Sequence, residues 1–242
     1  MCASTSPEWF DESELQDIVA LLEQQLHQPV RIDLFRHFPH AATPPPHAHL
    51  VEIGEQTEQI VGQLARLSDL LTLHVHDYET SAALRQQLKI DKAPALRLSS
   101  TRDYGLRHYG VPYGYNFAAF LNSLIDVSQG CTELTETTCR TLHELPAEVF
   151  IRVFVGPSCP FCPIATHFAG QFALESDLVF CESINTAQFP ELVDRYGIRA
   201  LPTVLVNDSH RFVGLTTEDQ FLQYIVQSVE TAQAAVRSNR RS

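Results

Sequence analysis

Two cysteines two residues apart, Cys159-Pro160-Phe161-Cys162, follow the apolar run Phe150 to Val155 and precede a stretch with helical patterning. Thiols at this spacing, where a strand hands over to a helix, are able to close a reversible disulfide. The first turn of a helix presents unpaired N–H groups and the positive end of the dipole. Both lower a thiol pKa and favour the thiolate, which is the species that attacks. The same spacing can hold zinc, but a zinc site needs two more ligands. His167 is the close candidate and no second CxxC occurs in the chain. The expected use of the pair is redox chemistry, with no metal and no cofactor.

Four further cysteines are few for 242 residues and irregularly spaced, unlike an extracellular disulfide framework. Cys181 falls in Leu178-Val179-Phe180-Cys181, where a buried inert thiol is expected. Cys131 and Cys139 flank an expected helix start and suit neither one helix face nor a metal knuckle, so an incidental or structural role is expected; Cys2 is terminal and uninformative. His37, His40, His47 and His49 lie within thirteen residues, and His74 and His76 share one face of a strand. One reading is a metal or pH-responsive site. The other, preferred here, is an extended solvated loop, because Pro44-Pro45-Pro46 need not bring the imidazoles together.

A hydrophobic content of 44% is ample for packed cores, and the formal net charge of −12 argues against nucleic acid or an anionic membrane as partner. No apolar stretch approaches the roughly 20 residues of a membrane span. Met1 to Glu14 carries acids where a secretory leader carries a basic and then an apolar region, so a cytoplasmic location is expected.

The elements that must position the thiols occur twice. In the first half the spacing predicts helices near 13–25, 55–67, 81–88 and 116–127, strands at 30–35 and 71–76, and a hairpin over 95–109. In the second half it predicts a helix near 136–144, a strand at 149–155, and the CxxC helix to about Leu174. A strand at 178–184, a helix at 189–196, a hairpin turning at Asn207-Asp208-Ser209 and a last helix through Phe221 and Ile225 follow. Asp77, Leu84, Ile90 and Pro94 precede Asn185, Leu192, Ile198 and Pro202 by 108 positions each, whereas matching Phe35 with Val155 gives 120. About twelve extra residues are therefore expected in the Pro/His loop of the first copy. A repeat this long means two copies of one domain rather than a solenoid. The expected units are 1–129, without CxxC, and 130–242, with it.

The order α-β-α-β-α-β-β-α, with CxxC after the first strand and proline before the third, resembles the thioredoxin/glutaredoxin pattern. Tyr109-Gly110-Val111-Pro112-Tyr113-Gly114-Tyr115, the linker around Val127-Ser128, Ser158-Cys159-Pro160-Phe161-Cys162-Pro163, Phe189-Pro190-Glu191 and Tyr196-Gly197-Ile198 carry the likeness further. Together they resemble the protein disulfide oxidoreductases, glutaredoxin-like proteins of two fused thioredoxin folds. The resemblance covers nearly the whole chain and implies an α/β fold of two tandem units, each a mixed four-stranded sheet flanked by helices. It implies that Cys159 is the attacking thiolate and that Cys162, one turn into the helix, resolves the mixed disulfide. Pro160 and Pro163 suit a first helical turn. Phe161 offers an apolar surface, and Leu201-Pro202 implies a cis bond whose backbone meets the substrate. An ordinary trans strand start is the alternative there, and Ala93-Pro94 poses the same choice. Thioredoxins also bury an acid about six residues before the nucleophile; Val153 stands there, so no general base is named.

One departure from the pattern that the chain resembles matters most: no Cys occurs between Cys2 and Cys131, so the first unit cannot exchange dithiols. One active and one silent unit also resemble the N-terminal domain of the flavoprotein that reduces peroxiredoxins. The absence of a monothiol motif and the single glycine in Val213-Gly214-Leu215 speak against iron–sulfur and glutathione binding. The expected function is thiol–disulfide exchange on protein disulfides, fed by a thioredoxin-reductase-type donor. The alternatives are a dedicated relay to a peroxidase or reductase system, and a non-catalytic interaction module.

Overall fold

Val149–Val155 (β5) alternates apolar side chains, and Val149, Ile151, Val153 and Val155 all point into the core. Val30–Arg36 (β1) does the same for the first half, with Ile32 and Leu34 fully buried. The computed structural model describes residues 9–39 and 48–239; Cys2, His40, Pro44, Pro45, Pro46 and His47 lie outside them. In the first half α1 (Glu12–Gln25), β1, α2 (Ala48–Ala65), β2 (Leu71–Asp77), α3 (Ala82–Gln87), β3 (Ala95–Ser99), β4 (Asp103–Tyr109) and α4 (Tyr115–Gln129) follow one another. The second half runs α5 (Glu136–His143), β5, α6 (Cys162–Glu175), β6 (Val179–Asn185), α7 (Pro190–Tyr196), β7 (Thr203–Val206), β8 (His210–Val213) and α8 (Glu218–Asn239).

Local chemistry sets the helix ends. Asp11 accepts from the Glu14 N–H at 2.8 Å while the Glu14 carboxylate accepts from the Asp11 N–H at 2.9 Å, a capping box that starts α1. Gly130, in the left-handed region, ends α4.

The strands form one sheet of eight in the order β2-β1-β3-β4-β6-β5-β7-β8. Each quartet has a parallel pair (β1 with β2, β5 with β6) and an antiparallel hairpin, so the two halves share one topology. They are tandem thioredoxin folds joined edge to edge by parallel pairing of β4 with β6, from Leu106↔Cys181 to Tyr109↔Ile184. This pairing removes two exposed edges that would otherwise invite association. On one face α4 packs along α6, and a single core runs from Leu22, Ile32 and Phe120 to Ile151, Phe172 and Phe221. Each such side chain, fully buried, contributes about 1.5–3 kcal/mol. A smaller cluster on the opposite face joins Phe35, Tyr109, Phe154 and Ile184.

Three expectations need correction. Phe35 is the counterpart of Phe154 rather than of Val155: both lie in the smaller cluster, and β1 and β5 run seven residues each at an offset of 119. Nor are the extra residues all in the Pro/His loop, because α2 has 18 residues where α6 has 14. Helix α2 starts at Ala48, well before the expected residue 55. Gly54 does not interrupt it: a Cβ there would sit 2.9 Å from the Arg36 Cβ, so the glycine makes room for β1.

Candidate active site

The chain reaches the CxxC directly from β5. Cys159 donates its N–H to the Gly156 carbonyl at 3.1 Å, Cys162 donates to Cys159 at 3.3 Å, and Ala165 donates to Phe161 at 3.1 Å. These bonds wind a turn that becomes α6 only at Cys162, with Phe161 as N-cap. Cys162 is thus the first residue of the helix, not one turn inside it, and Pro160 lies in the preceding turn rather than in the helix. Pro163 does fall in the first helical turn, where a missing N–H costs least. The two thiols form a disulfide with Cα atoms 5.5 Å apart. Cys159, in the turn, is partly exposed, whereas Cys162, at the helix start, is fully buried in the main core.

Leu201–Pro202 and Ala93–Pro94 are both cis. Leu201 lies against the active loop, since a Cβ on Gly156 would come within 2.8 Å of its Cδ1. The Pro202 carbonyl accepts from the Gly214 N–H at 2.8 Å, and the Pro94 carbonyl accepts from Gly110 at 2.9 Å, the same contact in both units. Structure therefore gathers Cys159, Pro160, Phe161, Cys162, Leu201 and Pro202 around one loop. In the first unit the corresponding end of β1 is closed by ion pairing. Arg36 pairs with Glu58 at 2.5 Å and its guanidinium covers the Phe38 ring at 3.7 Å.

The expected positions that bear no site group are equally plain. Val153 is fully buried among apolar side chains, so no acid occupies that place on β5. His167 Nδ1 is bound to Asp126 Oδ2 at 2.8 Å, and this carboxylate holds the imidazole pKa above its ordinary value. His76 likewise hydrogen-bonds Asp33 at 2.7 Å. Among the described residues no three His, Cys, Asp or Glu side chains are placed to hold a metal ion. Burial raises the Cys181 thiol pKa, which makes that residue unreactive.

A small cavity behind the active loop escaped the sequence. His108, Asn116, Val155, Ser183 and Asn185 line it, with room for about one water. Among the described residues neither amide atom of the buried Asn116 has a hydrogen-bond partner. The available signal was a polar residue on the apolar stripe Asn116, Phe120, Leu124, Val127. Burial drives the His108 imidazole pKa down to about 4. Its folded pKa lies below the unfolded value near 6.5, so it costs nothing at higher pH and an increasing penalty as pH falls toward 4. At pH 5 the penalty is about 2 kcal/mol. His108→Phe should therefore lose less stability than the parent between pH 7.5 and pH 5, by about that amount, in urea midpoints taken at both pH values. Equal losses would mean that the imidazole is already solvated.

Residues 149–227 match the family model for a thioredoxin domain. A thioredoxin of Methanocaldococcus jannaschii is 35% identical over 80 residues, covering 33% of this chain and 94% of that protein. A protein disulfide oxidoreductase from Aeropyrum pernix superposes with a TM-score of 0.79 at 23% identity, over 93% of this chain and 96% of that one. The NTD_N/C domain of an alkylhydroperoxide reductase from Enterococcus faecalis superposes at 0.78 with 21% identity, over 90% and 100%. The last two likenesses concern the fold.

Proposed function

The chain belongs to the thioredoxin family, and on that premise we propose that it reduces, forms or exchanges protein disulfides through the single Cys159/Cys162 pair. The observation that carries the reading is the asymmetric pair itself: an accessible thiol at the end of the turn and a buried one at the helix start. In the reduced protein the Cys159 thiolate attacks one sulfur of a partner disulfide. A new S–S bond joins the two proteins and the partner's other sulfur leaves as a thiolate. Cys162, deprotonated in turn, attacks Cys159 and closes the 159–162 bond, releasing the partner's second sulfur. Two electrons pass to the partner, which takes up two protons. Helix amides at the start of α6 lie beside the reacting sulfurs and favour their anionic form.

Phe161, Pro160 and the cis Leu201–Pro202 bond form the surface that would meet the partner chain. The boundary between units is placed between Gln129 and Gly130, where α4 ends. The reducing cytoplasm suits a chain in which Cys131, Cys139 and Cys181 are free thiols. Regeneration requires a two-electron donor acting on the disulfide, of the thioredoxin-reductase type. A second reading, a relay dedicated to one peroxidase or reductase system, draws on the superposition with the alkylhydroperoxide reductase domain. Dithiothreitol-driven reduction of insulin tests the first reading: turbidity should develop well ahead of the protein-free control. An unchanged lag, together with turnover of one reductase's own disulfide, would favour the relay.

A further inference from the structure

Among the described residues the exposed large apolar side chains are Tyr113, Tyr115, Phe161, Ile164, Val213 and Leu215, and they come from three segments: the CxxC turn itself and two that backbone hydrogen bonds tie to Pro157 and to Pro202. Phe161 and Ile164 belong to the CxxC turn and the start of α6. Val213 and Leu215 are held there by the Gly214 N–H bond to the Pro202 carbonyl. Tyr113 and Tyr115 come from the unit without a CxxC, and the Tyr115 N–H donates to the Pro157 carbonyl at 2.9 Å, two residues before Cys159. The approach is close enough that a Cβ on Gly114 would fall 2.4 Å from that oxygen.

Charge sets the kind of chain that this rim accepts. The protein carries −12, yet residues 111–117, 156–166, 200–206 and 213–217 contain no Asp, Glu, Lys or Arg. An apolar cleft lined by Ala165, Phe168, Phe212 and Leu215 opens at the same rim. Scattered exposed apolar residues are ordinary, but their confinement to segments that carry no charged residue and that meet at the CxxC turn marks a contact surface, bordered by Arg199 and Glu218. The reading above brings a partner's disulfide to Cys159, so the occupant is the polypeptide that bears it. We propose that the redox-silent unit supplies one bank of the substrate-docking site through Tyr113 and Tyr115, and that the site selects an uncharged, apolar segment flanking the partner's disulfide. The inference rests on the protein-disulfide reading and deepens it. Tyrosines suit this task because they offer large rigid area with little rotamer entropy to lose.

The test compares the reduced protein's rates with three disulfides: a peptide with apolar uncharged flanks, one with acidic flanks, and hydroxyethyl disulfide. The parent should react about tenfold faster with the apolar peptide than with the acidic one. Tyr113→Ser/Tyr115→Ser should bring the two peptides within about twofold, the apolar peptide losing about fivefold more rate than hydroxyethyl disulfide does. Tyr113→Phe/Tyr115→Phe should keep the preference. A preference that survives the serine pair, or a serine pair that slows hydroxyethyl disulfide equally, overturns the proposal. A parent that reduces both peptides alike overturns it while the protein-disulfide reading stands. A parent that turns over hydroxyethyl disulfide but neither peptide removes that reading as well.

Discussion

Cys159→Ser should reduce insulin-disulfide reduction to the rate of dithiothreitol alone, a loss on the order of a thousandfold or more, because a hydroxyl does not ionise to an attacking anion at neutral pH. Cys162→Ser should behave differently. Its Cys159 still attacks, but the mixed disulfide has no internal thiol to resolve it, so partner proteins should accumulate as adducts that dithiothreitol releases. The difference follows from exposure, since Cys159 is reachable and Cys162 is fully buried. Cys131, Cys139 and Cys181 should not substitute for either: Cys181 is buried with a raised pKa, Cys139 is raised chiefly by desolvation, and Cys131 lies outside the CxxC turn. Activity that persists in Cys159→Ser would sink the assignment, and adducts forming through Cys162 would reverse the two roles. The number of partners trapped by Cys162→Ser separates a general reductase from a private relay.

Much of this site was legible because its residues declare themselves by type and spacing. The CxxC, the proline before the third strand and the turn at Asn207-Asp208-Ser209 depend on local chemistry, and the structure places each where the spacing puts it. Helix starts were less legible. α6 begins at Cys162 rather than before it because two successive turn bonds, Cys159 to Gly156 and Cys162 to Cys159, hold residues 156–162, and no periodicity in the sequence reports those. The join between units was not legible at all. Parallel pairing of β4 with β6 brings together strands separated by some seventy residues, and the apolar pattern of each strand reads the same whether its neighbour is β3, β6 or solvent. For the same reason Tyr113 and Tyr115 read as part of a family likeness, and their place beside Pro157 emerges only with the fold.

Gly114→Ala should test that join most severely. Gly114 holds φ +58 and ψ −139, a region that residues with a Cβ scarcely enter. Its added Cβ would also stand 2.4 Å from the Pro157 carbonyl oxygen, a backbone atom that cannot swing aside. Strain and clash together should cost about 3 kcal/mol or more, a fall in Tm of about 10 °C for a chain of this size. The displaced partner would be either the 113–115 segment or the 157–159 loop, and both outcomes disturb Cys159. Insulin reduction at 25 °C should therefore fall even where the variant remains folded. Gly197→Ala supplies the control. Gly197 has φ +57 and ψ 46 with nothing within 4 Å of the new Cβ, so only the backbone preference is lost, about 1 kcal/mol, and activity should be unchanged. If both variants melt alike and reduce insulin alike, the first unit does not hold the active loop through residue 114, and the thioredoxin-like half acts without its neighbour's support.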